Sequence, residues 1–249
     1  MGHRFEQRSE FTVNATPEQV WEAIATGPGI DSWFMGRNQV EPGPDGSVRT
    51  AFGGYAPVAT VTAWEPPRRL AYGTGEAEDG RSIAYEFLVD RGERGGATVR
   101  MVVSGFLPGD DWQAELAAMT QGGDLFARTL RTYLTHFPGR TATPVTAFGP
   151  PVPDWDTAWA ALRRALGLAA PVAEGDRARF APAGLPPVDG VVYAVNPQTI
   201  GIRTGDALYR FLQGFQGSLV AGHQLFSGTD PEPAERAWRN WLAQLPADS

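Results

Sequence analysis

The chain has 249 residues, 42% of them hydrophobic and 11% aromatic, enough for one large domain or two small ones with a sizeable core. Its net charge of −7 comes with 21 arginines and no lysine, and the arginines are scattered, which argues against a nucleic-acid or anionic-membrane surface. The absence of cysteine excludes disulfides, thiolate metal sites and thiol nucleophiles. The N-terminus, MGHRFEQRSE, has no apolar run of signal-peptide length, and no stretch approaches the roughly 20 apolar residues that span a bilayer. A cytoplasmic protein without membrane insertion is the expectation.

Arg4 to Asn14 alternates weakly, with Phe5, Phe11 and Val13 apolar, and reads as a first strand. Thr16-Pro17-Glu18 then supplies an N-cap hydroxyl, a proline at the first helical position and an acid near the positive helix end. Val20, Trp21 and Ile24 form an apolar stripe; Gly27-Pro28-Gly29 ends that run, and Ile30, Trp33 and Phe34 begin a second short helix. Pro42 to Gly46 is a dense turn signal between Gln39-Val40-Glu41 and Ser47 to Phe52, which predicts a hairpin. Further strands follow at Val58 to Trp64, from Leu70 to Thr74, around Ile83 to Val89 and at Thr98 to Phe106. A long helix over Asp110 to Phe137 carries Trp112, Leu116, Met119, Phe126, Leu130, Tyr133 and Phe137 at steps of three and four, with glycine at 122 and 123 where the stripe is interrupted. Paired glycines predict a kink or break there, or room for a ligand where side chains are missing.

A strand, two short helices, a series of strands and a closing long helix resemble the START-like, or SRPBCC, helix-grip fold. The segments Thr16-Pro17-Glu18-Gln19-Val20-Trp21 and Ile30-Asp31-Ser32-Trp33-Phe34 resemble its AHSA-like branch, named for activators of heat-shock-protein ATPases. The resemblance covers Phe5 to Pro138. It implies an α+β fold in which a curved antiparallel sheet wraps a long helix around an apolar cavity.

Residues 139–153, rich in proline, read as a linker between a first domain at 1–138 and a second, smaller α+β unit at 154–249. In that unit a helix is predicted at Asp154 to Leu168, strands on both sides of Pro197, at Ala207 to Leu212 and at Gly217 to Phe226, and a helix at Pro231 to Leu245. Val191 to Gly205 is similar in pattern to Thr60 to Gly75, strand, proline turn and strand ending in Thr-Gly, so the unit reads as a shortened helix-grip repeat without an obvious first strand and hairpin.

Few residues are arranged for chemistry. His3, His136 and His223 are far apart and outside any ligand-spaced motif, and neither a GxxxxGK[ST] loop nor a GxSxG elbow occurs, so no metal, cofactor or catalytic residue is predicted. What stands out is the aromatic population of the first half. Trp33, Phe34, Phe52, Tyr55, Trp64, Tyr72, Tyr85, Phe87, Trp112 and Phe126, together with Met101, Met119 and Gly123, are the candidate ligand-binding residues.

The leading expectation is therefore binding of a small hydrophobic or aromatic molecule between sheet and long helix, with no nucleic acid as partner. Two alternatives stand beside it. A polyketide cyclase or aromatase of the same superfamily would draw on Arg37, Tyr72, Tyr85, Arg100 or Arg128, although no acid–base pair is evident. A co-chaperone-like role would instead need a protein partner or a second copy of the chain.

Overall fold

A computed structural model of the chain describes residues 2–92, 95–110, 112–214 and 217–245, which divide between two compact units, Met1–Thr141 and Ala142–Ser249. The first contains β1 (His3–Val13), α1 (Pro17–Ala25), α2 (Gly27–Asp31), β2 (Arg37–Glu41), β3 (Ser47–Ala51), β4 (Val58–Glu65), β5 (Arg69–Gly73), β6 (Ser82–Arg91), β7 (Ala97–Leu107) and α3 (Trp112–His136). Its seven strands form one antiparallel sheet in the order β1-β7-β6-β5-β4-β3-β2. Helix α3 lies on β1 and β7, with α1 against β6 and β7. This is the helix-grip arrangement of an α+β fold.

The corner between β1 and β2 follows from its caps. Thr16 accepts from the Gln19 backbone N–H at 3.3 Å, and Gln19 Oε1 accepts from the Thr16 N–H at 3.0 Å, a reciprocal capping box. Thr26 caps α2 by a single bond, accepting from the Gly29 N–H at 3.0 Å, so α2 begins at Gly27. Gly27-Pro28-Gly29 thus opens the second helix, and Trp33 and Phe34 lie in the turn beyond it. Proline suits a first helical turn; a Cβ on Gly29 would collide with the Glu22 carbonyl oxygen, so Gly29 serves close packing between α1 and α2, and a Cβ on Gly27 would meet the Asn38 carbonyl oxygen of β2.

The long helix also departs from expectation. It runs unbroken for 25 residues through Gly122 and Gly123. A Cβ on Gly123 would collide with the Gln7 side chain, whose Nε2 donates to the Thr120 carbonyl oxygen at 3.1 Å. The missing side chain makes room for Gln7 of β1, not for a ligand.

The second unit contains β8 (Thr143–Pro151), α4 (Trp155–Ala165), β9 (Arg177–Phe180), β10 (Val188–Asn196), β11 (Thr199–Arg203), β12 (Ala207–Gln213), β13 (Ser218–Leu225) and α5 (Pro231–Ala243). The sheet order is β8-β13-β12-β11-β10-β9. Residues read as linker therefore supply the unit's first strand, β8, paired with β13 from Thr143↔Leu225 to Pro151↔Ser218. An edge strand tolerates proline because one side needs no ladder partner, and the prolines sit near its ends.

The two sheets share a topology, with one strand fewer in the second. In each, the first strand pairs with the last, and the strands between form a meander. The match extends to irregularities: the β4–β5 register shifts between Val61 and Ala63, and the β10–β11 register between Val192 and Ala194. Aligning Thr60 to Gly75 with Val191 to Gly205 puts those bulges at the same position.

Candidate functional site

The inner face of the first sheet is set by alternation. Along β1 the charged Arg4, Glu6, Arg8 and Glu10 face outward, and Phe5, Gln7, Ser9 and Phe11 are half-buried. Pairing extends these positions into rows: Gln7, Val103, Tyr85, Tyr72 and Val61 are successive partners across five strands, and Ser9, Met101, Phe87, Leu70 and Trp64 form the next row.

Trp33 and Phe34 reach this face from the helical corner. The Trp33 indole N–H donates to the Ala23 carbonyl oxygen at 2.9 Å, fixing the ring under α1. The corner is tied to the hairpin by Asn38, whose backbone N–H and Nδ2 both donate to Asp31 Oδ1, at 2.7 and 2.9 Å, while its Oδ1 accepts from the Thr50 hydroxyl at 2.7 Å. Burial raises the Asp31 pKa, and the two Asn38 bonds offset part of that rise.

Five rings then close a circuit. Centroid separations are 5.2 Å for Trp33–Phe34, 5.9 Å for Phe34–Tyr85, 5.3 Å for Tyr85–Tyr72, 6.3 Å for Tyr72–Phe87 and 6.1 Å for Phe87–Trp33. Phe126 of α3 joins it through Phe34 at 4.6 Å. Trp33, Phe87 and Met101 are fully buried and form the floor. Tyr72 is 5% exposed, and Tyr85 keeps more accessible surface. Burial raises the pKa of both hydroxyls, that of Tyr85 to about 12, and the neighbouring Tyr85 raises that of Tyr72 further.

Above this circuit the two halves of α3 differ. From Leu125 onward Leu125, Phe126, Ala127, Thr129, Leu130, Tyr133 and Leu134 are buried. None of the residues from Trp112 to Asp124 is buried, and Phe5, Ile83 and Tyr85 on the sheet retain accessible surface. The N-terminal half is held by the His3–Trp112 stack at 3.9 Å, an ion pair between Arg81 and Glu115, and the Gln7–Thr120 bond.

Of the residues singled out from sequence, Trp33, Phe34, Tyr72, Tyr85, Phe87, Met101 and Phe126 thus share one cluster or its floor. Trp112 and Met119 lie half-buried on α3. Trp64 sits at the end of the adjacent row, outside the cluster, and three others lie elsewhere. Trp64 packs edge-on against Trp21 of α1 at 5.1 Å, and Phe52 packs on Tyr55 in the β3–β4 connection, where Tyr55 is 62% exposed. Gly123 is taken up by Gln7. Arg37 and Arg100 are exposed, and Arg128 donates to both Asp124 carboxylate oxygens at 2.9 and 3.0 Å. Sequence reasoning missed Gln7 and Val103; the charges at every second position of β1 were the signal that could have placed Gln7 inside.

The second unit fills the same interior. Its corresponding row is Val145, His223, Tyr209, Ile202 and Val192. Trp238 of α5 lies 4.2 Å from the His223 ring, and Phe180, Phe211 and Trp241 complete a packed core. His223 Nδ1 accepts from the Arg210 backbone N–H at 3.1 Å, so the neutral ring carries its proton on Nε2.

Among the described residues no group of three or more His, Asp or Glu could hold a metal ion, and no helix is long and apolar enough to cross a membrane. A sheet gripping a long helix, with an aromatic cluster under a helix segment that is only partly buried, defines a protein of the helix-grip, START-like class. The chain belongs to the family described as polyketide cyclase / dehydrase and lipid transport, whose model matches residues 4–136. Solved structures similar to it include a Bacillus halodurans protein determined in solution, 25% identical over 53% of this chain and 98% of that one, with a TM-score of 0.45. A Mesorhizobium loti protein is 22% identical over 52% and 96%, TM-score 0.45, and the Aha1 dimer from Colwellia psychrerythraea 20% identical over 52% and 96%, TM-score 0.42. No curated protein matches the chain.

Proposed function

We propose that the first unit binds one small hydrophobic or aromatic molecule between its sheet and the N-terminal half of α3. The observation that carries this reading is the contrast along α3. Seven residues after Asp124 are buried against the sheet and none before it is, although Trp112, Leu116 and Met119 continue the apolar stripe. A ring-bearing guest seated on Tyr85, Phe34 and Phe126 would complete that packing. Burying about 200 Å² of its surface is worth about 5 kcal/mol before the cost of association is subtracted. Binding supports a carrier or a receptor more directly than catalysis, because Arg37 and Arg100 lie on the exposed surface and Arg128 is engaged by Asp124.

The test is a fluorescence titration with the neutral probe N-phenyl-1-naphthylamine. Saturable binding at one site per chain is expected, abolished by Met119→Trp, which puts an indole where the guest would sit. Absence of saturable binding to the wild-type protein, or equal binding by Met119→Trp, overturns the reading.

A further inference from the structure

The aromatic cluster contains two groups that apolar packing alone does not call for, the hydroxyls of Tyr72 and Tyr85. The two residues are direct partners on β5 and β6, so both side chains leave the same face at the same level, with rings 5.3 Å apart and inclined by 29°. Stacked rings from paired positions bring both phenols to the same face of the sheet. Among the described residues neither hydroxyl has a hydrogen-bond partner, and neither belongs to the sealed polar atoms of the core, which include Trp159 Nε1, Thr199 Oγ1 and His223 Nε2. Their surroundings are the apolar Val61, Val103, Phe34 and Phe87.

Neither hydroxyl is sealed from solvent, so water satisfies both in the unliganded protein, and a ligand that displaces that water must replace its hydrogen bonds. We propose that Tyr72 and Tyr85 form a two-donor clamp for a single uncharged carbonyl oxygen on an apolar, ring-bearing ligand, an inference that rests on the binding reading above. One carbonyl oxygen offers two lone pairs and accepts both O–H groups at once. A carboxylate would enter the same place with its charge uncompensated, because the row holds no cation. Desolvation keeps both phenols protonated, so the clamp stays a donor pair throughout the neutral range. The second unit shows the row without this device: Ile202 stands in place of Tyr72, Tyr209 in place of Tyr85, and His223 in place of Val103 under the Trp238 ring.

Three naphthalenes separate the outcomes: 2-acetylnaphthalene, its oxygen-free isostere 2-isopropenylnaphthalene, and 2-naphthoate. Each is titrated into the full chain and into the Tyr72→Phe, Tyr85→Phe and doubly substituted proteins, with circular dichroism as a folding check. Wild type should prefer the ketone to the alkene by about tenfold, each single variant should lose part of that preference and the double variant nearly all of it. The naphthoate should bind more weakly than either neutral compound. The stretching frequency of a 13C-labelled ketone carbonyl should be lower bound to wild type than bound to the double variant, a readout that a merely structural role would not move. If ketone and alkene bind equally, or if the preference survives in the double variant, the clamp is refuted while the binding site stands. If neither neutral compound binds wild type, the binding reading itself fails. Should the double variant not fold, the two single variants carry the same comparison.

Discussion

Gly122 and Gly123 are adjacent in α3, yet the structure assigns different consequences to an added methyl group. Replacing a helix-interior glycine by alanine gains about 0.8–1.0 kcal/mol from backbone entropy and lost backbone exposure. At Gly122 nothing lies within 4 Å of the new Cβ, so Gly122→Ala should stabilise the first unit by close to that full amount. At Gly123 the methyl collides with Gln7 Oε1 and lies 3.0 Å from its Nε2. The Gln7 amide must swing away and give up its 3.1 Å bond to the Thr120 carbonyl, a net loss of about 0.5–1.5 kcal/mol. Gain and loss then cancel, and Gly123→Ala should fall about 1 kcal/mol below Gly122→Ala. Urea unfolding followed by tryptophan fluorescence measures both, with Gln7→Ala and the Gln7→Ala/Gly123→Ala pair closing a double-mutant cycle. In the absence of Gln7 the alanine should recover its helix gain. If Gly123→Ala stabilises as much as Gly122→Ala with Gln7 present, Gln7 does not occupy that space.

Two further outcomes follow from the buried polar groups. Trp33→Phe removes the indole donor to the Ala23 carbonyl and leaves a void beside Phe87, so it should cost about 2–3 kcal/mol by urea unfolding; a cost below about 0.5 kcal/mol would show that the corner is not anchored through Trp33. Burial and the nearby Arg210 guanidinium hold the His223 pKa well below its ordinary value. The unfolded chain therefore binds a proton that the folded one refuses, and the second unit should keep full stability above the unfolded pKa of about 6.5 and lose it as pH falls below, at up to about 1.4 kcal/mol per pH unit. Urea unfolding between pH 8 and pH 5 should show this slope in wild type and its disappearance in His223→Gln, which keeps an acceptor for the Arg210 N–H; an unchanged slope in the variant would assign it to other groups.

How legible the chain was depended on whether one residue's chemistry or a partner's position decided the outcome. Thr16-Pro17 fixed the start of α1 because caps are local, and period-two alternation located the meander because one sheet face is buried. The segment Thr143–Pro151 was unreadable as a strand because its prolines are those of a linker, and only pairing with β13 makes it an edge. Gly123 looked like an absence because Gln7, its occupant, is 116 positions away in the numbering. Tyr55 and Phe52 carry the same ring chemistry as Tyr85 and Phe34, but the tight Gly53-Gly54 connection between them turns them onto each other and away from the sheet interior.

The two units also show why the fold alone does not give the function. Both close a meander with its first strand and lay a helix across it, and both bulge at the equivalent residue. They differ in what the closing helix supplies. Helix α5 brings Trp238 and Trp241 down onto Phe180 and Phe211, so the interior between helix and sheet is filled by the chain itself. Helix α3 does this only from Leu125 onward; its first half offers no buried side chain to the Gln7–Tyr85–Tyr72 row. A protein interior reaches crystal-like density wherever its stability depends on packing. The first half of α3, whose Trp112, Leu116 and Met119 are only half-buried, keeps apolar surface that the proposed guest would bury. That difference between two otherwise parallel units is the reason the proposed binding is assigned to the first.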